Sequence, residues 1–387
     1  MRYYIIAGEP SGDLHGANLM KGLKKADPEA EFRFWGGDRM AAEGGAANLV
    51  KHYRETSFFG IVNVLLNLRT IGRQMRECQA DVLAYSPDVL ILVDYPGFNM
   101  KMARFAREHG IRTHYYIAPK VWAWREHRVK AIRKYVDRLY IIFPFEREYF
   151  ASKGIEPVFE GNPTVDALAD RRAGFPTREE FSEEHGLDGR PIVALLAGSR
   201  RGEIADNLPL MAALSRRFPE HQFVVAGVSW LDRALYEKYM AGSDIRYVCD
   251  RTYELLHVAE AAVVTSGTAT LETALMNVPE VVVYRTYWWQ VWLRPYVLKV
   301  PYVSLVNLNL GREAVREIIQ SSLDTTEAEA ELQAIVAGGA KRERMLADFA
   351  ELHAIMGGAG ASERFAQRMT EDLEIQNSKF KIQNFQE

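Results

Sequence analysis

Short apolar runs alternate with helix-like patterns along the first half of the chain. Five runs have the length and the β-branched or aromatic content of buried parallel strands, at 3–7, 32–35, 89–93, 113–117 and 139–142. Between them, apolar residues recur at helical spacing and predict helices at 12–25, 61–83, 98–108 and 124–135. Strand–helix alternation of this kind predicts a doubly wound parallel sheet.

The alternation begins again after 161–190, a stretch rich in glycine, proline and charge that indicates a domain boundary. Further strands are predicted at 192–196, 223–226, 245–248, 261–264 and 281–284, and a helical tail at 326–373. We therefore expect two Rossmann-like α/β domains that face a cleft. The expected limits are 1–165 and 166–345 for the two domains, 346–375 for C-terminal helices that pack back on the first domain, and 376–387 for a frayed tail.

Composition narrows the class of protein. The chain has 387 residues, more than one hydrophobic core comfortably serves, and its net charge of -3 argues against a nucleic-acid binder. Its two cysteines, Cys78 and Cys249, predict neither a disulfide framework nor a zinc site. No signal peptide is recognised, and no apolar stretch approaches the ~18 residues of a membrane span. We expect a cytoplasmic protein whose membrane contact, if any, is peripheral.

Candidate chemistry begins in the loop after the first predicted strand. Loops at the carboxyl ends of parallel strands form the ligand crevice of such sheets. This loop crowds polar side chains between glycines that let a ligand approach the backbone. The candidate binding residues are Glu9, Ser11, Gly12 and Asp13. The alternative is a turn in which Ser11 or Asp13 only caps the next helix.

An acidic residue, Asp94, ends the apolar strand 89–93. A carboxylate at this point is expected at the crevice edge, partly desolvated, where its pKa is raised and it suits general-base catalysis. The spacing leaves equally open that Asp94 only caps the helix after Pro96.

The second half contains a first candidate phosphate loop. Gly198, Ser199 and Arg200 connect a predicted strand to a helix. Backbone amides at a helix start bind phosphate well, and an arginine adds a bidentate charged group. The alternative is a solvated turn with surface arginines.

A second such loop contains Ser266, Gly267 and Thr268, again between a strand and a helix. Glu272 lies one turn deeper, where its carboxylate could bind both hydroxyls of a ribose. The alternative is an N-cap with a capping box. Because both loops belong to one predicted domain, we favour a nucleotide site.

No cofactor and no metal site are predicted. The sequence has no Asp-x-Asp, no His-Glu-x-x-His and no His/Cys cluster. The second half instead offers arginines and helix N-termini, which stabilise a departing diphosphate without a metal.

Three segments are suited to lipid or to an anionic headgroup. The first, 58–68, is strongly apolar and supplies candidate acyl contacts at Phe58, Phe59, Ile61, Val62 and Leu65. The second, 284–300, mixes aromatic and basic residues as membrane interfaces do. The third is a basic helix start with Trp122 and Arg125, which could bind a headgroup or a substrate phosphate. For each of the first two segments the alternative is a buried core helix or a subunit contact, and for the third it is a solvated face.

Taken together, these motifs resemble the lipid-A-disaccharide synthases, glycosyltransferase family 19. The matching segments occur in the same order as in that family, over about 3–355, and the two at 122–125 and 266–272 are in combination specific for it. The matching pieces are 7–13, 36–37 with Met40, 59–62, 94–99, 119–124, 143–146, 196–200, 266–272, 302–307 and 311–313.

The resemblance implies a fold of the GT-B type and an inverting transfer from UDP-2,3-diacylglucosamine to 2,3-diacylglucosamine 1-phosphate. It implies that Asp94 is the general base, that Arg200 and 266–272 hold UDP, and that Asn307 and Arg312 lie in the donor site. It also implies peripheral docking on the inner membrane, with 58–68 near the acceptor. No nucleic-acid partner is expected, and a homodimer is left open. The alternatives are an isomerase like UDP-N-acetylglucosamine 2-epimerase and a non-catalytic, membrane-associated UDP-binding module.

Overall fold

The computed structural model describes residues 1–56, 68–124, 126–172, 174–287, 292 and 300–384. The chain forms two compact units. The first contains Met1–Asp166 and the C-terminal segment from Gly357, and the second contains Ala167–Met356. Each unit has its own parallel β-sheet.

The sheet of the first unit is built from short, mostly buried strands. They are β1 Arg2–Ala7, β2 Glu31–Gly36, β3 Leu49–His52, β4 Val89–Val93, β5 Thr113–Tyr116, β6 Arg138–Ile141 and β7 Val158–Phe159. Their order across the sheet is β3-β2-β1-β4-β5-β6-β7. All five residues of β4 are buried, as expected for an apolar strand that is covered on both faces.

Helices follow most of these strands. They are α1 Pro10–Ala26, α2 Asp38–Gly44, α3 Tyr53–Thr56, α4 Leu68–Tyr85, α5 Pro96–Glu108, α6 Val121–Trp124, α7 Val129–Tyr135, α8 Phe145–Ala151 and α9 Pro163–Arg172. The last of these, α9, begins in the first unit and ends in the second. Proline occupies the first turn of both α1 and α5, where its fixed φ is favourable and its missing N–H costs nothing.

The second unit repeats the architecture. Its strands are β8 Ile192–Leu196, β9 Gln222–Gly227, β10 Arg246–Cys249, β11 Ala261–Thr265, β12 Glu280–Arg285 and β13 Glu317–Gln320, in the order β10-β9-β8-β11-β12-β13. Its helices are α10 Arg178–His185, α11 Arg201–Ser215, α12 Arg233–Met240, α13 Thr252–Val258, α14 Thr268–Leu275, α15 Leu305–Leu310, α16 Thr326–Ile335 and α17 Arg342–Met356.

The last helix, α18 Ala361–Asn384, belongs to the first unit and packs on α1. A Cβ built on Gly22 of α1 would lie 2.7 Å from the Cβ of Ala366, so the glycine permits this close approach. The Asp166 carboxylate accepts the backbone N–H groups of Gly360, Ala361 and Ser362 at 2.7, 3.0 and 2.8 Å. It therefore anchors the start of α18.

The structure differs from the sequence expectations mainly at the edge strands of the two sheets and at the bounds of some helices. The strands β3, β7 and β13 were not predicted, because they are two to four residues long and only partly buried. The expected boundary 161–190 contains α9 and α10, the latter started by a capping box between Thr177 and Glu180. The helix expected at 124–135 is divided by a 3-10 turn, Glu126–Arg128.

The C-terminal helix α18 also runs past 373 to Asn384, where a frayed tail was expected. The segment contains neither glycine nor proline, so nothing in its backbone chemistry ends the helix earlier. Among the residues described, no helix is both long and apolar enough to cross a bilayer.

Candidate active site

The first candidate site lies where the strand order of the first unit reverses. Neighbouring strands β1 and β4 are paired through Ala7 and Val93, and the chain leaves their ends toward opposite sides of the sheet. Ligand crevices form at such switch points. Gly8 and Asp94, the residues that follow Ala7 and Val93, therefore start the two loops that flank it.

The backbone at Asp94 is held in an unusual conformation. Asp94 and Tyr95 have φ values of +44° and +48°, a region that side-chain-bearing residues rarely adopt. The Asn99 side-chain N–H donates to the Asp94 carbonyl at 2.7 Å, and the Tyr115 hydroxyl donates to the same oxygen at 2.6 Å. These bonds fix the turn, so the Asp94 side chain leaves the strand end in a defined direction.

Burial controls the chemistry of the Asp94 carboxyl. Its pKa is raised from 3.8 to about 6, first by desolvation and then by the negative charge of Glu9. Lys120, from the loop after the neighbouring strand β5, acts in the opposite direction. Asp94 is therefore largely ionised at neutral pH, yet basic enough to accept a proton from a bound hydroxyl.

A second buried carboxyl, Glu146 at the start of α8, was not singled out from the sequence. It is 1% exposed, and its Oε1 accepts the indole N–H of Trp122 at 2.9 Å. Its pKa is raised from 4.5 to about 7, mainly by burial, while Trp122 and Lys120 act against this. Glu146 thus connects the segments that follow β5 and β6. Because Trp122 is buried in this contact, its ring packs inside the unit and is not exposed for the acceptor contact predicted from the sequence.

The predicted acceptor residues separate into two groups. Glu9 is partly exposed and Ser11 exposed, so both are open to a ligand. Gly12 is buried. Asp13 is 3% exposed, and its carboxylate accepts the N–H groups of three residues at the start of α2: Gly37, Arg39 and Met40, at 2.7, 3.1 and 3.1 Å. The structure therefore supports the capping alternative for Asp13, although the helix it caps is α2 rather than α1.

Several predicted contacts lie outside the described residues. They are Arg125 and the acyl-contacting set Phe58, Phe59, Ile61, Val62 and Leu65.

The second unit has its own switch point, between β8 and β11, whose ends pair through Leu196 and Val264. Gly198 follows β8 with a φ of +108°, and a Cβ there would lie 2.6 Å from Glu203. The Glu203 carboxylate accepts the amides of Ser199 and Arg200 at 2.9 and 3.3 Å, and the Arg200 guanidinium at 2.6 Å. A phosphate at these groups would therefore compete with Glu203, which the sequence prediction did not anticipate.

The loop after β11 is more open. Gly267 and Thr268 are exposed at the start of α14, and a Cβ built on Gly267 would meet no atom within 4 Å. The Ser266 hydroxyl donates to the Val303 carbonyl at 3.2 Å, which fixes the loop from behind. An N-terminus presented in this way suits a negatively charged group.

One helical turn into α14, the Glu272 carboxylate accepts the Tyr253 hydroxyl at 2.7 Å. Burial raises the pKa of Glu272, which Tyr253 and Arg171 counteract. The Arg171 guanidinium also lies over the Tyr253 ring, 4.7 Å from its centroid. Sequence spacing did not indicate Tyr253 or Arg171, because they reach Glu272 from α13 and α9.

The two remaining donor candidates have other tasks. Asn307 is fully buried, and its amide bonds the backbone of Ala314 and Val315 and the carboxylate of Glu317, at 2.8–3.0 Å. Its hydrogen-bonding groups are therefore used within the unit rather than offered to a donor. Arg312 forms ion pairs with Asp348, at 2.7 Å, and with Glu351, which hold its guanidinium on α17 and raise its pKa.

The two sites provide complementary chemistry. The first unit offers a base with a raised pKa beside a lysine, and the second offers helix-start amides, an arginine and a carboxylate suited to ribose hydroxyls. Among the described residues, no cluster of three or more histidine, cysteine, aspartate or glutamate side chains could hold a metal.

Two Rossmann-like domains with these strand-end sites define a protein of the GT-B fold class, and solved structures agree. UDP-GlcNAc 2-epimerase from Neisseria meningitidis, bound to UDP-GlcNAc, superposes with a TM-score of 0.63 at 12% identity, over 96% of this chain and 100% of that one. The calicheamicin glycosyltransferase CalG4 gives 0.56 at 14%, over 96% and 98%. Identities this low establish the fold and not the reaction.

Sequence comparison gives the family. The family model described as Lipid-A-disaccharide synthetase matches residues 3–361. The Lipid-A-disaccharide synthase of Geobacter sulfurreducens is 38% identical over 94% of this chain and 95% of that protein, and that of Myxococcus xanthus is 36% identical over 96% and 97%. The chain belongs to the lipid-A-disaccharide synthase family. It is a hexosyltransferase of lipid A biosynthesis, and the resemblance noted in the sequence is confirmed over the epimerase alternative.

Proposed function

We propose that this protein transfers 2,3-diacylglucosamine from UDP to the 6-hydroxyl of 2,3-diacylglucosamine 1-phosphate. The products are the β-1,6-linked disaccharide 1-phosphate and UDP. Family membership supports the reaction class, and the environment of Asp94 supports its place in the reaction.

Asp94 is the general base in this proposal. As the acceptor oxygen attacks the anomeric carbon, Asp94 takes the hydroxyl proton, and the bond from that carbon to the UDP oxygen breaks. One in-line displacement turns an α-linked donor into a β-linked product. The raised pKa of about 6 carries the assignment, because it keeps the carboxylate ionised at pH 7 while increasing its basicity.

Departing UDP is stabilised by the second unit. The exposed helix start at Gly267 and Thr268 and the Arg200 guanidinium bind the diphosphate, and Glu272 binds the ribose. When the diphosphate binds, Glu203 gives up its contacts with Ser199 and Arg200. Asn307 and Arg312 support this region from within the unit and do not contact the donor.

Acceptor recognition and location complete the proposal. The partly exposed Glu9, which raises the pKa of Asp94, and the exposed Ser11 contact the acceptor sugar. The apolar segment 58–68 takes its acyl chains at the surface of the inner membrane, with which the protein associates peripherally from the cytoplasmic side. Both substrates are acylated, so a protein that meets them at a membrane surface avoids extracting their chains into water.

The test is a mass-shift assay with both acylated glucosamine substrates in the presence of a chelator. Wild-type protein should form the disaccharide, and Asp94→Asn should lose about 10²–10⁴-fold in kcat, the typical contribution of one general base. Asp170→Asn, a change at an exposed acid on α9, is the matched control and should retain activity. Full activity in Asp94→Asn, or loss of activity with chelator, would refute the proposal.

A further inference from the structure

A large aromatic side chain stands exposed beside the Gly198 loop. Trp230 is 66% exposed and follows β9, which neighbours β8 in the sheet. Its indole N–H donates to the backbone carbonyl of Ser199 at 3.2 Å. The ring is thus fixed at one edge to the proposed phosphate loop, while most of its surface remains accessible.

The turn that carries Trp230 is itself anchored. The Ser229 amide donates to the Asp250 carboxylate at 3.1 Å, and the Asp250 amide donates to the Gly227 carbonyl at 2.9 Å. A Cβ on Gly227 would lie 2.2 Å from the Tyr247 ring, so the strand ends pack closely here. An exposed indole on a braced turn is preorganised for a flat ligand, since little side-chain entropy is lost on binding.

The position of Glu272, the candidate ligand of the ribose hydroxyls, indicates the direction in which a bound nucleotide would extend. Glu272 on α14 is hydrogen-bonded to Tyr253 on α13, the helix after β10. Its carboxylate therefore faces the β9–β10 side of the switch point, and Trp230 lies at the end of β9. A nucleotide with phosphates at the β8/β11 switch point and its ribose on Glu272 would carry its base toward Trp230.

We propose that Trp230 is the base platform of the donor site, where its indole stacks on the uracil ring of the UDP-sugar. The inference rests on the proposed function, which supplies a uridine nucleotide as ligand. Aromatic side chains stack on bases through their π faces, and removing one such contact typically weakens binding on the order of 10-fold.

Titration calorimetry of UDP with wild-type protein, Trp230→Phe and Trp230→Ala tests the proposal. We expect the Kd for UDP to rise about 10-fold in Trp230→Ala and to change only a few-fold in Trp230→Phe. The Kd for inorganic pyrophosphate should stay constant across the series. UDP should quench tryptophan fluorescence in the wild type, and this quenching should be lost in Trp230→Phe. Leu323→Ala, at another exposed apolar residue, located after β13, is the matched control and should bind UDP normally.

The outcomes separate this inference from the function on which it rests. UDP binding that is equal in the wild type and Trp230→Ala refutes the base platform alone. An equal loss for UDP and pyrophosphate also refutes it, because Trp230 would then act only through the Ser199 loop. A wild-type protein that binds no UDP refutes the donor assignment and the platform together.

Discussion

Changing the two charges that flank Asp94 should move the acidic limb of the pH–rate profile in opposite directions. Glu9 raises the pKa of the Asp94 carboxyl and Lys120 lowers it. A general base works only when ionised, so kcat/KM should rise with pH through the pKa of about 6. Glu9→Gln should shift this limb to lower pH, and Lys120→Met should shift it to higher pH.

The size of each shift follows from the environment. Raising the pKa from 3.8 to about 6 corresponds to roughly 3 kcal/mol of lost stabilisation of the carboxylate, most of it from burial. Lys120 is exposed and Glu9 partly exposed, so we expect each charge to contribute only about 0.5 pH unit. At pH 5.5 the ionised fraction of Asp94 would then be about 0.25 in the wild type, about 0.5 in Glu9→Gln and about 0.1 in Lys120→Met.

The assay is kcat/KM for disaccharide formation between pH 4.5 and 8, with each profile normalised to its own plateau. Normalisation matters because either residue can also alter acceptor binding, which changes the height of the profile and not the position of its limb. Lys101→Met, at an exposed lysine on α5, is the matched control. Limbs that move in the same direction, or that coincide with that of the wild type, would show that Asp94 is not the titrating base.

Three further predictions concern the free energy of unfolding, followed through the thermal unfolding midpoint. Glu280 is fully buried at the start of β12, neither carboxyl oxygen has a hydrogen-bond partner among the described residues, and burial raises its pKa well above 4.5. The folded state therefore keeps a proton that the unfolded chain releases, and stability falls as pH rises above 4.5. Glu280→Met should raise the free energy of unfolding by about 1–3 kcal/mol, with a larger gain at pH 8 than at pH 5. An unfolding midpoint that is unchanged at pH 8 would contradict this. Asp13→Ala should destabilise by about 2 kcal/mol because it leaves the start of α2 uncapped, whereas Asp13→Asn should restore part of that loss. Asn307→Leu should lower the free energy of unfolding by about 2–4 kcal/mol, because it unpairs the partly buried amide of Ala314 and the buried amide of Val315. A neutral effect would place Asn307 back among the donor contacts.

Many of the elements could be read from the sequence because their signals are local. β4 and β11 are uninterrupted apolar, β-branched runs, and each is followed by a polar residue at its carboxyl end. Asp94 and the Ser266 loop were located correctly at strand ends for this reason. The edge strands β3 and β13 lack such runs, and sequence reasoning missed them.

The roles of the polar side chains were much less predictable. Asp13 and Asn307 occur in functional motifs, yet one caps α2 and the other holds the chain at 314–315. Glu146 and Trp122 are 24 residues apart in sequence but share a buried hydrogen bond. The Tyr253 hydroxyl donates to Glu272 from α13, and Arg171 lies over the Tyr253 ring from α9. Contacts of this kind join segments that are far apart in the sequence and that only the fold brings together.

By itself, then, the sequence determined the alternation of strands and helices, the two-domain class, the family and the acid at the end of β4. The elements, the two-domain class and the acid at the strand end follow from the order and spacing of apolar and polar residues, whereas the family follows from the sequence motifs that the chain shares with its relatives. The tertiary structure decided which carboxylates are buried, which amides are already occupied, as Glu203 occupies those of Ser199 and Arg200, and how far the pKa of Asp94 rises. Desolvation and hydrogen-bond partnership depend on atoms brought together from distant parts of the chain, so no local pattern encodes them.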